Sequence, residues 1–208
     1  IISMPTNMFR GFENVGDDEG LIFVVLGNDD PGIITWVPQV LLRAKETGLA
    51  LLDDNSLIDL TKNEIPNDKK LLKPITDDQL KKFDNYNLNQ IEKFVCRFEN
   101  QPKFENDLKN GIKLLQIIGS KFCNKKYVPL INQNTGFNLS ILKAKTGQIN
   151  DLIFDKPTII FSQKGLWKIT INKDEFKINS KDTFSVPLNT KLSISIEDNE
   201  ECYLNCVS

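Results

Sequence analysis

The chain has 208 residues, 40% hydrophobic and 26% charged, a composition that supports a packed globular core and argues against a disordered chain. Its 26 basic and 28 acidic residues leave a net charge of −2, which provides no basic field to draw in a phosphate backbone. It contains no histidine, so neither a Ser-His-Asp triad nor an imidazole-ligated metal can be assembled from this chain alone.

No apolar run approaches the ~20 residues that a membrane-crossing helix requires. The composition therefore predicts no nucleic-acid partner and no membrane partner. The first residue is Ile and the opening residues read as the interior of a motif, so a preceding segment is expected. Cys96, Cys123, Cys202 and Cys206 are too scattered for a disulfide framework or a zinc knuckle. On one strand, Cys202 and Cys206 would lie ~13 Å apart, beyond the reach of a disulfide. They are expected to be buried free thiols in a reducing, cytoplasmic setting.

Three regions follow one another. In residues 1–60, the run Leu21-Ile22-Phe23-Val24-Val25-Leu26, bounded by Gly20 and Gly27, has the length of a buried strand. Asn28-Asp29-Asp30-Pro31-Gly32 reads as a turn. After Pro38 a helix is expected, with Val40, Leu41 and Ala44 on one face and Gly48 at its stop. Two short strands should flank an Asp53-Asp54-Asn55 turn. Residues 61–135, rich in Lys, Asn and Asp, read as a short helical connector, with Thr76 capping one helix through Leu80 and Asn89 capping a second to Val95. Lys69-Lys70 and Lys125-Lys126 read as solvated faces.

From Gly136 to Ser208 the pattern becomes short strands and close turns, with extended segments at 137–143, 158–161, 166–171, 175–178, 183–186, 191–196 and 202–207. In Lys191–Ile196, Leu192, Ile194 and Ile196 alternate with Lys191, Ser193 and Ser195. This spacing predicts a mainly β sandwich or barrel.

Met4-Pro5-Thr6-Asn7-Met8-Phe9-Arg10-Gly11-Phe12-Glu13-Asn14, followed by Val15-Gly16-Asp17-Asp18, resembles the second signature motif of the cupin superfamily. Pro5 and Asn14 stand where that motif has them, whereas Arg10 takes the place of its histidine and Asn7 that of its turn glycine. Residues 136–208 resemble a second, degenerate cupin barrel. Gly147 and Gly165 bound its first motif, and Lys181-Asp182 through Pro187 open its second. The first-motif histidine positions fall at Leu152 to Asp155 and the second-motif histidine at Leu192. Gly27–Gly32 and Thr35-Trp36-Val37-Pro38 are similar to a segment of some uncharacterised bacterial bicupins.

The resemblance implies an RmlC-like double-stranded β-helix, or jelly-roll, barrel. Residues 1–60 would hold the closing strands of a partial first barrel with its following helix and hairpin, 61–135 the connector, and 136–208 the second barrel. It also implies that the family's three-histidine, one-glutamate metal set is missing here, so no cofactor and no metal are expected. The functional expectation is a structural or metal-independent small-molecule-binding protein. The alternatives are the scaffold half of a bicupin enzyme with its catalytic residues upstream, and a dimerisation module forming a homodimer, whose sign would be an exposed apolar face of Leu192, Ile194 and Ile196 if these do not face the barrel interior.

Arg10 is the candidate ligand-binding residue, because a planar cation at a metal-ligand position suits a small anionic ligand. Pairing with a carboxylate such as Glu13, or extension into solvent, is the simpler account of it. Asp17-Asp18-Glu19 and Asp29-Asp30 lack calcium-loop spacing and read as turns. Trp36 and Trp167 read as core residues. Gly16, Gly20, Gly27 and Gly32 form no phosphate loop, and no local signature marks a Ser, Lys or Cys nucleophile.

Overall fold

The computed structural model describes residues 1–27, 34–97, 99, 106–108, 110–119, 128–133 and 136–208. They divide into two compact units, one of Ile1–Ser3, Val25–Asp29 and Leu88–Ser208, the other of Met4–Val24 and Asp30–Asn87.

In the smaller unit, helix α1 spans Pro38–Glu46, with Pro at its first turn, Arg43 and Lys45 in its last, and no buried residue. Leu41 and Ala44 are half-buried while Val40 is exposed, so the apolar face is narrower than expected. Gly48 ends the helix at φ +80 and donates to the Lys45 carbonyl, a conformation glycine adopts without strain. Strands β1 (Leu49–Leu51) and β2 (Leu57–Asp59) pair as the expected hairpin. At its tip Asp54 accepts hydrogen bonds from the Ser56 amide and hydroxyl and pairs with Lys69 at 2.8 Å. Helix α2, Asp77–Leu80, carries a capping box between Thr76 and Gln79. Asn7 sits at φ +59, the left-handed region its turn-glycine position calls for. Its side-chain amide donates to the Lys82 carbonyl and Asp84 carboxylate, and Phe9 packs on Phe83 with ring centroids 4.4 Å apart.

The run Leu21–Leu26 departs from expectation. It forms no strand, and Leu21, Ile22, Val24 and Leu26 are 56–64% exposed. Its hydrophobicity marks a segment suited to burial, but no strand of this chain pairs with it among the described residues. The expected turn at 28–32 and Lys125-Lys126 lie outside the described residues.

The larger unit opens with helix α3 (Leu88–Ile91) and a 3-10 turn at Glu92–Phe94. The helix begins one residue before Asn89, which is therefore not its cap. Strands β3 (Asn106–Asp107), β4 (Ile112–Gly119) and β5 (Ile131–Asn132) then precede β6 (Leu139–Ala144), β7 (Gln148–Ile153), β8 (Thr158–Lys164), β9 (Trp167–Ile171), β10 (Asp174–Ile178), β11 (Thr183–Val186), β12 (Lys191–Ile196) and β13 (Cys202–Val207). One sheet has the order β11-β8-β13-β6-β4-β3, with β5 added parallel to β4, and the other β10-β9-β12-β7. The sets β6-β13-β8-β11 and β7-β12-β9-β10, joined by connections that repeatedly change sheets, are the strand arrangement of a jelly roll. Among the described residues no ladder joins the two sheets, so it is a sandwich-like roll without a closed hydrogen-bonded barrel.

Strand β4 lies inside the stretch read as a connector, and its pairing with β6 makes it part of the sheet. The compact unit thus begins well before residue 136. Two glycines stand where the chain passes between sheets: Gly147 (φ +123) between β6 and β7, and Gly165 (φ +90) between β8 and β9. A Cβ on Gly147 would meet the Asn110 carbonyl oxygen, and one on Gly165 the Cys202 sulfur. Only glycine fits either turn.

Alternation along each strand builds two apolar layers. In β13, Cys202, Leu204 and Cys206 enter the core between the sheets, with Ile112, Leu142, Ile160, Trp167, Ile169, Leu192 and Ile194. Tyr203 and Val207 enter a second cluster, with Leu115, Ile117, Ile131, Leu139 and Ile141. The short segment before Ser3 meets Val95 and Cys96 through the Ile2–Val95 bridge and the Cys96 amide to Ile1 carbonyl hydrogen bond of 2.8 Å.

Candidate functional site

A jelly roll offers its intersheet space as the natural place for a site, and there the positions singled out in the sequence converge. Leu152, on β7, is the direct ladder partner of Leu192, on β12, and Leu192 is also the partner of Ile171, on β9. The first-motif and second-motif positions are therefore adjacent in the fold, although 40 residues separate them in sequence. Leu192 is 1% exposed, and Leu152, Phe154 and Ile171 pack against the same core.

Aliphatic and phenyl side chains carry no lone pair for a metal and no group to move a proton. Asp155, the one carboxylate among the expected positions, is exposed. Among the described residues no group of three His, Cys, Asp or Glu side chains is placed to hold a metal ion.

The other chemically capable groups of the interior are quiet. Cys206 is buried, and burial pushes its thiol up to about 12. Cys202 is shifted upward first by burial and then by the nearby Asp198 carboxylate. The thiolate is the nucleophilic form, so both sulfurs are held in the unreactive state. Their positions on one strand, with neither in a disulfide, match the spacing argument; Cys123 lies outside the described residues. Trp167 is fully buried and donates its indole N–H to the Lys164 carbonyl at 3.2 Å. Trp36, expected in a core, is instead 38% exposed.

Leu192 and Ile194 face the intersheet core, at 1% and 0% exposure, which corrects the expectation that they form an exposed dimerisation face. The opposite face of that sheet is polar and laced with ion pairs, Lys168–Glu175 at 3.4 Å, Lys177–Glu197 at 2.6 Å and Lys191–Asp151 at 2.9 Å.

Arg10 is exposed and lies outside any helix or strand, and no strand of the jelly roll carries it. Asn14, four residues on, closes a local turn: its side chain accepts from the Gly16 amide at 3.1 Å and donates to the Asp18 carbonyl at 2.6 Å. Asp17 and Asp18 belong to that turn, and Asp29-Asp30 lie outside the described residues.

The larger unit is thus a jelly-roll domain with an aliphatic interior. Cupin-superfamily proteins are among the solved structures similar to this chain. They include an RmlC-like cupin from Shewanella frigidimarina (10% identity, 54% of this chain and 86% of that one, TM-score 0.40). A cupin superfamily protein from Desulfitobacterium hafniense matches with 12% identity over 50% of this chain and 81% of that one, TM-score 0.36. A Cupin 2 conserved barrel domain protein from Salinispora arenicola matches with 11% identity over 54% and 87%, TM-score 0.40. No protein-family model and no curated protein matches the chain.

Proposed function

We propose that this chain is a metal-independent cupin-like module whose jelly-roll interior is a packing core, leaving it a structural role and whatever binding its outer surface supports. The observation that carries this reading is the pairing of Leu152 with Leu192, two positions where the sequence resemblance places metal ligands, beside the aliphatic Ile171. A buried aliphatic row stabilises the roll and presents no donor to a transition metal. Elemental analysis of the untagged chain, with thermal unfolding before and after addition of iron, manganese, nickel or zinc, tests it. The expected result is substoichiometric metal and an unchanged midpoint. Stoichiometric metal bound by these 208 residues would overturn the reading.

A second reading rests on the exposed Leu21–Leu26 run. Met4–Leu26 would be closing strands of another cupin-like barrel, completed by polypeptide outside this sequence, as in a bicupin. Arg10 would then turn its guanidinium toward an anionic ligand held by that barrel, and any enzymatic chemistry would reside there. Hydrogen exchange in a longer natural form should then protect the amides of 21–26. Continued rapid exchange would exclude the pairing, and an affinity unchanged in Arg10→Ala would exclude the ligand role.

A further inference from the structure

Asn110 and Gly111 are the only Asn-Gly pair in the sequence, and both are exposed in the turn between β3 and β4. The Leu108 amide closes the turn by donating to the Ile112 carbonyl at 2.9 Å. Asn110 sits at φ +55 and Gly111 at φ +82, two successive left-handed residues of the kind for which hairpin turns favour Asn-Gly.

The pair is latched to the turn between β6 and β7. The Asn110 side-chain amide donates to the Gln148 carbonyl at 3.3 Å. A Cβ on Gly147 would collide with the Asn110 carbonyl oxygen, and one on Gly111 would come within 2.7 Å of the Thr146 carbonyl oxygen. Strand β4 belongs to the larger sheet and β7 to the smaller, so this junction ties the two sheets at one end of the roll.

Asn-Gly is also the pair most open to attack on its own side chain, because glycine has no Cβ to crowd the approach. The Gly111 nitrogen bonds to Asn110 Cγ, the Cγ–Nδ2 bond breaks, and the nitrogen's proton leaves with the departing ammonia. Water then opens the resulting succinimide ring at either carbonyl, giving aspartate or isoaspartate. The native turn forbids the first step. At a left-handed residue ψ is about +47°, which holds Cβ and the following nitrogen nearly opposite each other across the Cα–C bond. Bringing Cγ onto the Gly111 nitrogen takes about half a turn in ψ, and that rotation breaks the latch.

We propose that Asn110 is a deamidation site gated by the fold: protected while the β3–β4 turn is latched, modified when it opens, and more weakly latched afterwards. The products give the step its direction. A carboxylate has no donor for the Gln148 carbonyl and sets negative charge against its oxygen, while isoaspartate lengthens the main chain by one carbon inside the turn.

The test is incubation of the 208-residue chain in mildly alkaline buffer, folded and in guanidinium chloride, with peptide mapping by mass spectrometry for amide-to-acid conversion. In the unfolded chain Asn110 should convert faster than every other asparagine. In the folded chain its conversion should slow by roughly tenfold or more, because it waits for the turn to open. Asn110→Asp, standing for the product, should lower the thermal midpoint, and the loss should shrink at acid pH, where the protonated carboxyl can again donate to Gln148. Equal rates in the folded and unfolded chain would overturn the gating, and a faster asparagine elsewhere in the unfolded chain would overturn the assignment. An unchanged midpoint in Asn110→Asp would overturn the weakened latch. The rate comparison uses the unsubstituted chain and so does not depend on any variant folding.

Discussion

Replacing Leu192 by Ala asks whether the intersheet space is a core. The side chain is 1% exposed, with Leu152 and Ile171 as its ladder partners. Burying a leucine contributes ~1.5–3 kcal/mol by transfer from water. The cavity left by truncation adds to that, for a total of ~2–5 kcal/mol. Against a domain stability of ~5–15 kcal/mol, this is a large fraction. Leu192→His should lose still more, since a neutral imidazole with no partner costs a further ~1–3 kcal/mol of desolvation. The assay is urea unfolding followed by fluorescence of Trp167, which is fully buried, in a Trp36→Phe background that removes the exposed indole. The midpoint should fall with little change in slope. A loss below ~1 kcal/mol for Leu192→Ala would show that the space tolerates a void of this size, which a packed core does not.

Three further outcomes follow from particular contacts. Gly147→Ala should destabilise the larger unit by at least ~1–3 kcal/mol of backbone strain alone, because the added Cβ also meets the Asn110 carbonyl; thermal unfolding measures this. Cys206, with its thiol pushed up to about 12 from an ordinary 9.0, should resist iodoacetamide at pH 8 until the protein unfolds. The folded state holds this proton more tightly than the unfolded one, so the contribution is intact below pH 9 and is lost as pH rises toward 12. A stability that rises over that window would contradict the burial of Cys206. Tyr203→Phe removes the hydroxyl donor to Glu201, and the Glu201 carboxyl should titrate at higher pH in a carbon-detected NMR titration. No upward movement would mean that Lys143 and Lys145 alone hold it down.

The strands of the second half were legible because their signal is local. The alternation in Lys191–Ile196 and the turn residues between successive segments require no knowledge of partners. Thr76 and Gly48 announced helix ends for the same reason: a cap is satisfied within a few residues. Strand β7 was missed because Asn150 and Asp151 break the pattern of Gln148–Ile153, and Asp151 sits at φ +59. Strand β4 was present in the sequence as Ile112–Ile118, five of whose seven residues are Ile or Leu, but the Lys- and Asn-rich surroundings hid it.

For Leu21–Leu26 the reverse holds. Six apolar residues predict burial, yet burial depends on a surface to receive them, and none of the described strands does so. The juxtaposition of Lys113 and Lys143 was likewise invisible in the sequence, because lysines 30 residues apart become neighbours only when β4 and β6 pair.

Composition alone determined the absence of imidazole, and with it the absence of histidine-based metal or triad chemistry in these residues. Local pattern determined that the second half would be short strands around an apolar core. Tertiary structure alone decided that these strands form a jelly roll, that Leu152 meets Leu192, and that Tyr203 and Leu204 face opposite layers. The physical reason is that side-chain alternation assigns each residue to one of two faces. Which face is interior depends on the order in which distant strands pair.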